Sequence, residues 1–111
     1  MVEQIPRPGV GVDDRPLVRH VFPAFSAELV AALEAAEERE LGIGAGNICV
    51  VASCHCDSKN CQSFYTAPPP HGPYGPGHRN VMPTFDTGMV VLDVVHGQIM
   101  FVEILDRPPL H

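Results

Sequence analysis

Residues 88–105 read GMVVLDVVHGQIMFVEIL. Two apolar runs flank His96-Gly97, and a two-residue loop with glycine second fits a type I′ hairpin turn. Pairing about that turn sets Val94 across from Ile99, Leu92 from Phe101 and Val91 from Val102. One face then carries Val90, Leu92, Val94, Ile99 and Phe101. The other carries Met89, Val91, Val95, Met100 and Val102. Both faces are apolar, so both need cover. A helix covers one side, and another layer or subunit covers the other. The hairpin therefore predicts a homodimer that buries part of the Met89/Val91/Met100/Val102 face. Asp93 and Glu103 interrupt the apolar runs and, in this register, point to opposite faces. Each is expected in solvent or beside an arginine such as Arg19 or Arg107, since burying a carboxylate alone is costly.

The covering helix is expected over 23–42. Ser26 is the predicted N-cap, with Phe25 and Val30 as a hydrophobic staple and Glu28 in the first turn. Leu29, Val30, Leu33 and Ala36 share one face, and Gly42 is the predicted terminator. Residues 42–46 then read as a flexible connector. Two further runs read as strands. The alternation over 17–22 predicts a short one, and the apolar stretch 48–54 predicts a central strand buried on both faces. A return strand follows over 61–66 and another short one begins at Val81. Residues 67–79, APPPHGPYGPGHR, hold five prolines and three glycines, a composition that excludes helix and interior strand. That loop is a polyproline-like excursion whose Tyr74 docks on the body. Its His71, Tyr74, His78 and Arg79 can also form a ligand rim. The expected architecture is α+β, one principal helix on an antiparallel sheet of about four or five strands. Residues 1–16 form an extended or partly disordered arm, and 17–111 form a single domain.

Thirteen acidic residues face seven basic ones across the 111 positions, a net charge of −6. Lys59 and six scattered arginines make no basic stripe, which argues against nucleic acid as a partner. No apolar run is long enough to span a bilayer, and the first sixteen residues lack a signal-peptide core. A cytoplasmic protein with no membrane partner is expected.

The densest chemistry is CHCDSKNC over 54–61. Cys54 and Cys56 fall on one side of an extended chain, and the polar turn 57–60 returns Cys61 toward them. Three readings fit. The cysteines hold zinc, with His55, His71 or His78 completing the set; Cys56 and Cys61 form a switchable disulfide; or all are plain thiols. The predicted metal ligands are Cys54, Cys56, Cys61, His71 and His78, although C-x-C-x4-C matches no familiar zinc spacing. Cys49 lies at the opposite parity and reads as a small core residue. No Ser-His-Asp order, HExxH or nucleotide fingerprint occurs.

The stretch from Leu92 to Leu105 resembles a hairpin of small uncharacterised bacterial domains, in which an aspartate-bearing strand, a glycine turn and a strand ending Val-Glu-Ile-Leu follow one another. The run Cys54-x-Cys56-x4-Cys61-x2-Phe64-Tyr65-Thr66 looks like part of the same kind of protein. The resemblance implies a small β-rich fold and no activity. Small acidic bacterial proteins of this sort also include toxin-immunity proteins. The expected function is a non-enzymatic binding or accessory protein with its distinctive site at the Cys54–Cys61 turn. The alternatives are a small thiol-dependent redox protein or enzyme, and an immunity-like protein that binds a basic partner.

Overall fold

The structure is a computed structural model that describes residues 15–54 and 61–111. Residues 1–14 of the expected 1–16 arm, together with His55 and Cys56, lie outside the described residues. Pro16, assigned to that arm, belongs to the folded body. Its carbonyl accepts from the Val50 amide at 2.8 Å, and Leu17 bridges antiparallel to Cys49.

Among the described residues three helices precede five strands: α1 (Val18–Val21), α2 (Pro23–Ala35), α3 (Arg39–Ala45), β1 (Ala52–Ser53), β2 (Phe64–Tyr65), β3 (His78–Val81), β4 (Met89–Val95) and β5 (Gln98–Leu105). The strands form one antiparallel sheet in the order β1-β2-β5-β4-β3, with α2 as the main helix packed on it. The architecture is therefore the expected α+β. Val18, Phe25, Leu29, Leu33, Leu41 and Ala45 from the helices meet Phe64, Val81, Val90, Leu92, Val94, Ile99, Val102 and Ile104 from the sheet in one core. No helix among the described residues is long and apolar enough to cross a membrane.

Local expectations change in four places. Residues 17–22 do not form a strand. The alternation there is too short to separate a strand from a turn of helix, and the amides of His20 and Val21 both bond back to the Leu17 carbonyl. The expected helix over 23–42 divides in two. Pro23 takes its first position, where a missing N–H removes no bond, so Ser26 is buried one turn inside instead of capping. The helix closes after Ala35 without a glycine. Glu37 sits in the left-handed region at φ 63°, its amide bonding Glu34 O at 3.0 Å, while Glu38 bonds Leu33 O at 2.9 Å. This double closure is the Schellman pattern. Gly42 lies inside α3 instead of ending α2. A β-carbon there would stand 3.4 Å from Glu34 Cγ and 3.8 Å from Leu33 Cβ, so this position of α3 faces α2. Residues 42–46, read as a connector, are mostly helical, and Ala36 is exposed.

The stretch 48–54 is not a central strand. Only Ala52 and Ser53 form a strand, and they do so at the sheet edge. Ile48 and Val50 serve the core from its margin. The loop after residue 66 gives His78 and Arg79 to β3, entered through a turn in which the His78 amide bonds Gly75 O at 3.3 Å. Pro76 and Gly77, with φ 85° at the glycine, fit the central pair of a type II turn.

The fourth change decides which residues face solvent. His96 and Gly97 both have positive φ, as a type I′ turn requires, and Val94 pairs with Ile99 as expected. A bulge then shifts the ladder: Asp93 pairs with Phe101, Leu92 with Val102 and Val91 with Glu103. Met100 is the extra residue. Thr66 clamps it, its amide bonding Met100 O at 2.9 Å and its hydroxyl donating to Ile99 O at 2.7 Å. Beyond the bulge β5 changes parity. Val102 and Ile104 turn into the core, and Phe101, expected there, is half-buried on the other face. Asp93 and Glu103, expected on opposite faces, share that other face.

Arginines tie the layers together on the helix side. Arg79 donates from both terminal nitrogens to Glu38 at 2.9 Å each. Arg107 donates to Glu28 at 3.0 Å and to Thr87 O at 2.8 Å, with its guanidinium 4.9 Å from the Phe85 ring. Arg19 bonds Gly46 O and Asn47. The expected pairing of Asp93 or Glu103 with Arg19 or Arg107 is therefore replaced by these contacts.

Candidate functional site

The helices cover one face of the sheet and leave the other without a layer of secondary structure among the described residues. Strand register draws a single row across that open face: Ala52, Tyr65, Phe101, Asp93 and Asn80, one from each strand. Cross-strand neighbours of this kind stand about 5 Å apart and interact directly. The Tyr65 and Phe101 rings meet at 4.4 Å between centroids, tilted by 51°.

Asp93 organises the far half of the row. One oxygen, Oδ1, lies 2.6 Å from His78 Nε2 and accepts from Asn80 Nδ2 at 2.7 Å. No bond among the described residues engages Oδ2. His78 stands opposite Val95, two residues from Asn80 along β3 and on the same face. Tyr74 folds in from the loop, its ring 5.0 Å from the His78 imidazole. Burial raises the Tyr74 phenol above its ordinary value, and the charges of Asp93 and Tyr65 raise it further. Tyr74 thus stands beside the His78 that Asp93 holds, and Tyr65 lies across Phe101 from Asp93. The docking expected of Tyr74 is present, and it lands on this face.

Among the described residues the predicted metal ligands do not all come to one place. Cys54 and Cys61 come to the same place, lining a cleft of about 560 Å³ with Gln62, Glu103 and Arg107, and a smaller one of about 270 Å³ with Phe22, Phe64 and Leu110. Their segments are tied by the Cys54 amide bonding Ser63 O at 3.0 Å. Cys56 lies outside the described residues. His71 is exposed in the loop. His78 is on β3, the edge opposite β1 and three strands from β2, which is about 14 Å at ordinary strand spacing. Its imidazole is held by Asp93. Among the described residues no group of three or more His, Cys, Asp or Glu is placed to hold a metal ion. Cys49 sits apart at the Leu17 bridge, half-buried.

Asp93, Tyr74 and His78 were each visible in the sequence as oddities: an acid inside an apolar strand, and ring-bearing residues in a proline-rich loop. Tyr65, Phe101 and Asn80 were not. Their membership depends on the bulge at Met100 and on the order of the strands, and no local signal announces either. The chain matches no protein-family model, no curated protein sequence and no solved structure.

Proposed function

We propose that this chain is a non-enzymatic binding protein that presents the open face of its sheet to a basic protein partner. The observation that carries this reading is the company Asp93 keeps. Phe101 is its direct cross-strand neighbour, Tyr65 pairs with Phe101 on the next strand, Tyr74 packs on the His78 that bonds it, Glu103 shares its face, and Arg19, Arg79 and Arg107 are all engaged on the helix side. Aromatic residues supply contact area at little entropic cost, and carboxylates at the rim select positive partners and speed encounter. The chain's net charge of −6 works in the same direction. A second copy of the chain is a poorer occupant, since a two-fold interface on this face buries the carboxylates of both copies together while Arg79 and Arg107 stay engaged on the helix side.

The test is calorimetry on a partner identified by crosslinking, comparing the native chain with Asp93→Asn/Glu103→Gln. The expected partner is net positive, binds more weakly as salt rises, and loses about tenfold or more in affinity to the double variant. Affinity indifferent to both salt and the substitutions would remove the face from consideration. Light scattering at micromolar concentration reports on the alternative of a homodimer.

A second reading keeps Cys54 and Cys61 as thiolate ligands for zinc, favoured by their lining one cleft together. Metal analysis of protein prepared without chelator tests it. One tightly held zinc per chain, lost in Cys61→Ser, supports that reading, and metal-free protein with titratable thiols favours the redox alternative.

A further inference from the structure

We infer that the open face holds a guanidinium, the arginine side chain of a docked partner, between the Tyr65–Phe101 ring pair and the Asp93 carboxylate. This rests on the reading of that face as a surface for a basic partner, and it names the group recognised. The register makes Phe101 the direct cross-strand neighbour of both Tyr65 and Asp93, so an aromatic surface and a carboxylate adjoin without a gap. Asp93 is held in place from one side only. His78 and Asn80 both bond Oδ1, which orients the carboxylate and leaves Oδ2 for a ligand. With its side chain 22% exposed, Asp93 is reachable from solvent yet partly withdrawn from it. That setting strengthens a charge-assisted hydrogen bond relative to one in open water.

The choice of guanidinium over ammonium follows from shape. A guanidinium is flat, carries donors along its edge and stacks on aromatic rings, whereas an ammonium is a compact, strongly hydrated point charge. The site offers a ring surface on one side and a carboxylate oxygen, Asp93 Oδ2, on the other. Tyr74 packs its ring 5.0 Å from the His78 imidazole that holds Asp93, which adds a third aromatic ring to the far side of the carboxylate. A planar fork can donate to Oδ2 while its face lies on Phe101. A lysine ammonium would satisfy the carboxylate but has no flat face to stack on the rings.

The probe is the tripeptide amide acetyl-Gly-Arg-Gly, titrated into the full chain with backbone amide shifts followed by NMR. Acetyl-Gly-citrulline-Gly and acetyl-Gly-Lys-Gly serve as the comparison. Saturable shifts confined to Tyr65, Tyr74, Asp93, Phe101 and their neighbours are expected from the arginine peptide. The lysine peptide should bind several-fold more weakly and the citrulline peptide should give none. Asp93→Asn should abolish the response, and Phe101→Leu should weaken it while leaving the fold's other signals in place. Equal response to arginine and citrulline, or arginine shifts scattered over the surface, overturns the inference. A protein partner that loses affinity to Asp93→Asn/Glu103→Gln while the arginine peptide leaves these signals unmoved overturns the anchor and spares the face. A partner indifferent to the double variant overturns the face itself.

Discussion

The His96 imidazole lies directly against Gly77: a β-carbon on the glycine would stand 2.4 Å from His96 Cε1, and the His96 amide bonds Gly77 O at 3.3 Å. The tip of the β4–β5 hairpin thus clasps the turn that leads into β3. Gly77 also holds φ 85°, where an L side chain is strained. Gly77→Ala should lower stability by about 1–2 kcal/mol from backbone strain alone. The collision is with the end of an exposed side chain, which can move aside. Chemical denaturation of Gly77→Ala with and without His96→Ala separates the two contributions. Full rescue by the second substitution would show that strain is unimportant here.

Glu37 offers the opposite experiment. It closes α2 at φ 63° without glycine's tolerance of that region. It is exposed, so replacing it removes little packing. Glu37→Gly should raise stability by about 0.5–1 kcal/mol, the left-handed penalty less the extra chain entropy glycine loses on folding. A thermal midpoint that falls instead would mean the Glu37 side chain contributes more than its exposure implies.

The two sides of the sheet should differ in their response to truncation. Leu33 is fully buried, and Leu33→Ala should cost about 2–5 kcal/mol. Phe101 is only half-buried, so Phe101→Ala should cost about 1–2 kcal/mol despite removing more atoms. Urea denaturation of both variants gives the comparison. A larger loss at Phe101 would place that ring in the core, against the observed parity of β5.

The Arg79–Glu38 pair predicts a pH signature. Hydrogen bonding from Arg79 holds the Glu38 carboxyl below its ordinary value of 4.5, and the guanidinium's charge adds to the effect. A carboxyl depressed in the folded state stabilises the fold above its unfolded pKa. That contribution disappears as pH falls through the folded value. The urea midpoints of the native chain and Glu38→Gln should therefore differ at neutral pH and converge as pH drops below about 4.5. A gap that widens on acidification would contradict the pairing.

What could be read from the residues follows from how local each signal is. The β4–β5 turn was legible because His96-Gly97 sits between two long apolar runs, and Leu29 and Leu33 because they stand one helical turn apart. The end of α2 was hidden because a glutamate occupies the left-handed position where glycine is expected, which moved attention to Gly42. Val102 and Phe101 exchanged faces because a bulge shifts parity by one, and its clamp, Thr66, is 34 positions from Met100 along the chain. The zinc expectation drew His78 toward the cysteines because a flexible loop was expected to deliver it. Strand order instead puts them at opposite edges. Residues of the open face were legible singly and not as a set, since only the assembled sheet makes them neighbours.

With Met100 extruded from the ladder, a single strand answers to two masters. Ile99, Val102 and Ile104 must suit the volume beneath α2, while Phe101 and Glu103 stand outside that constraint. Under the proposed function, descendants of this chain can retarget their partner by changing positions 65, 93, 101 and 103 while the buried set is left intact. Saturation mutagenesis should then divide β5 into two interleaved classes, one scored by abundance of folded protein and the other by binding alone.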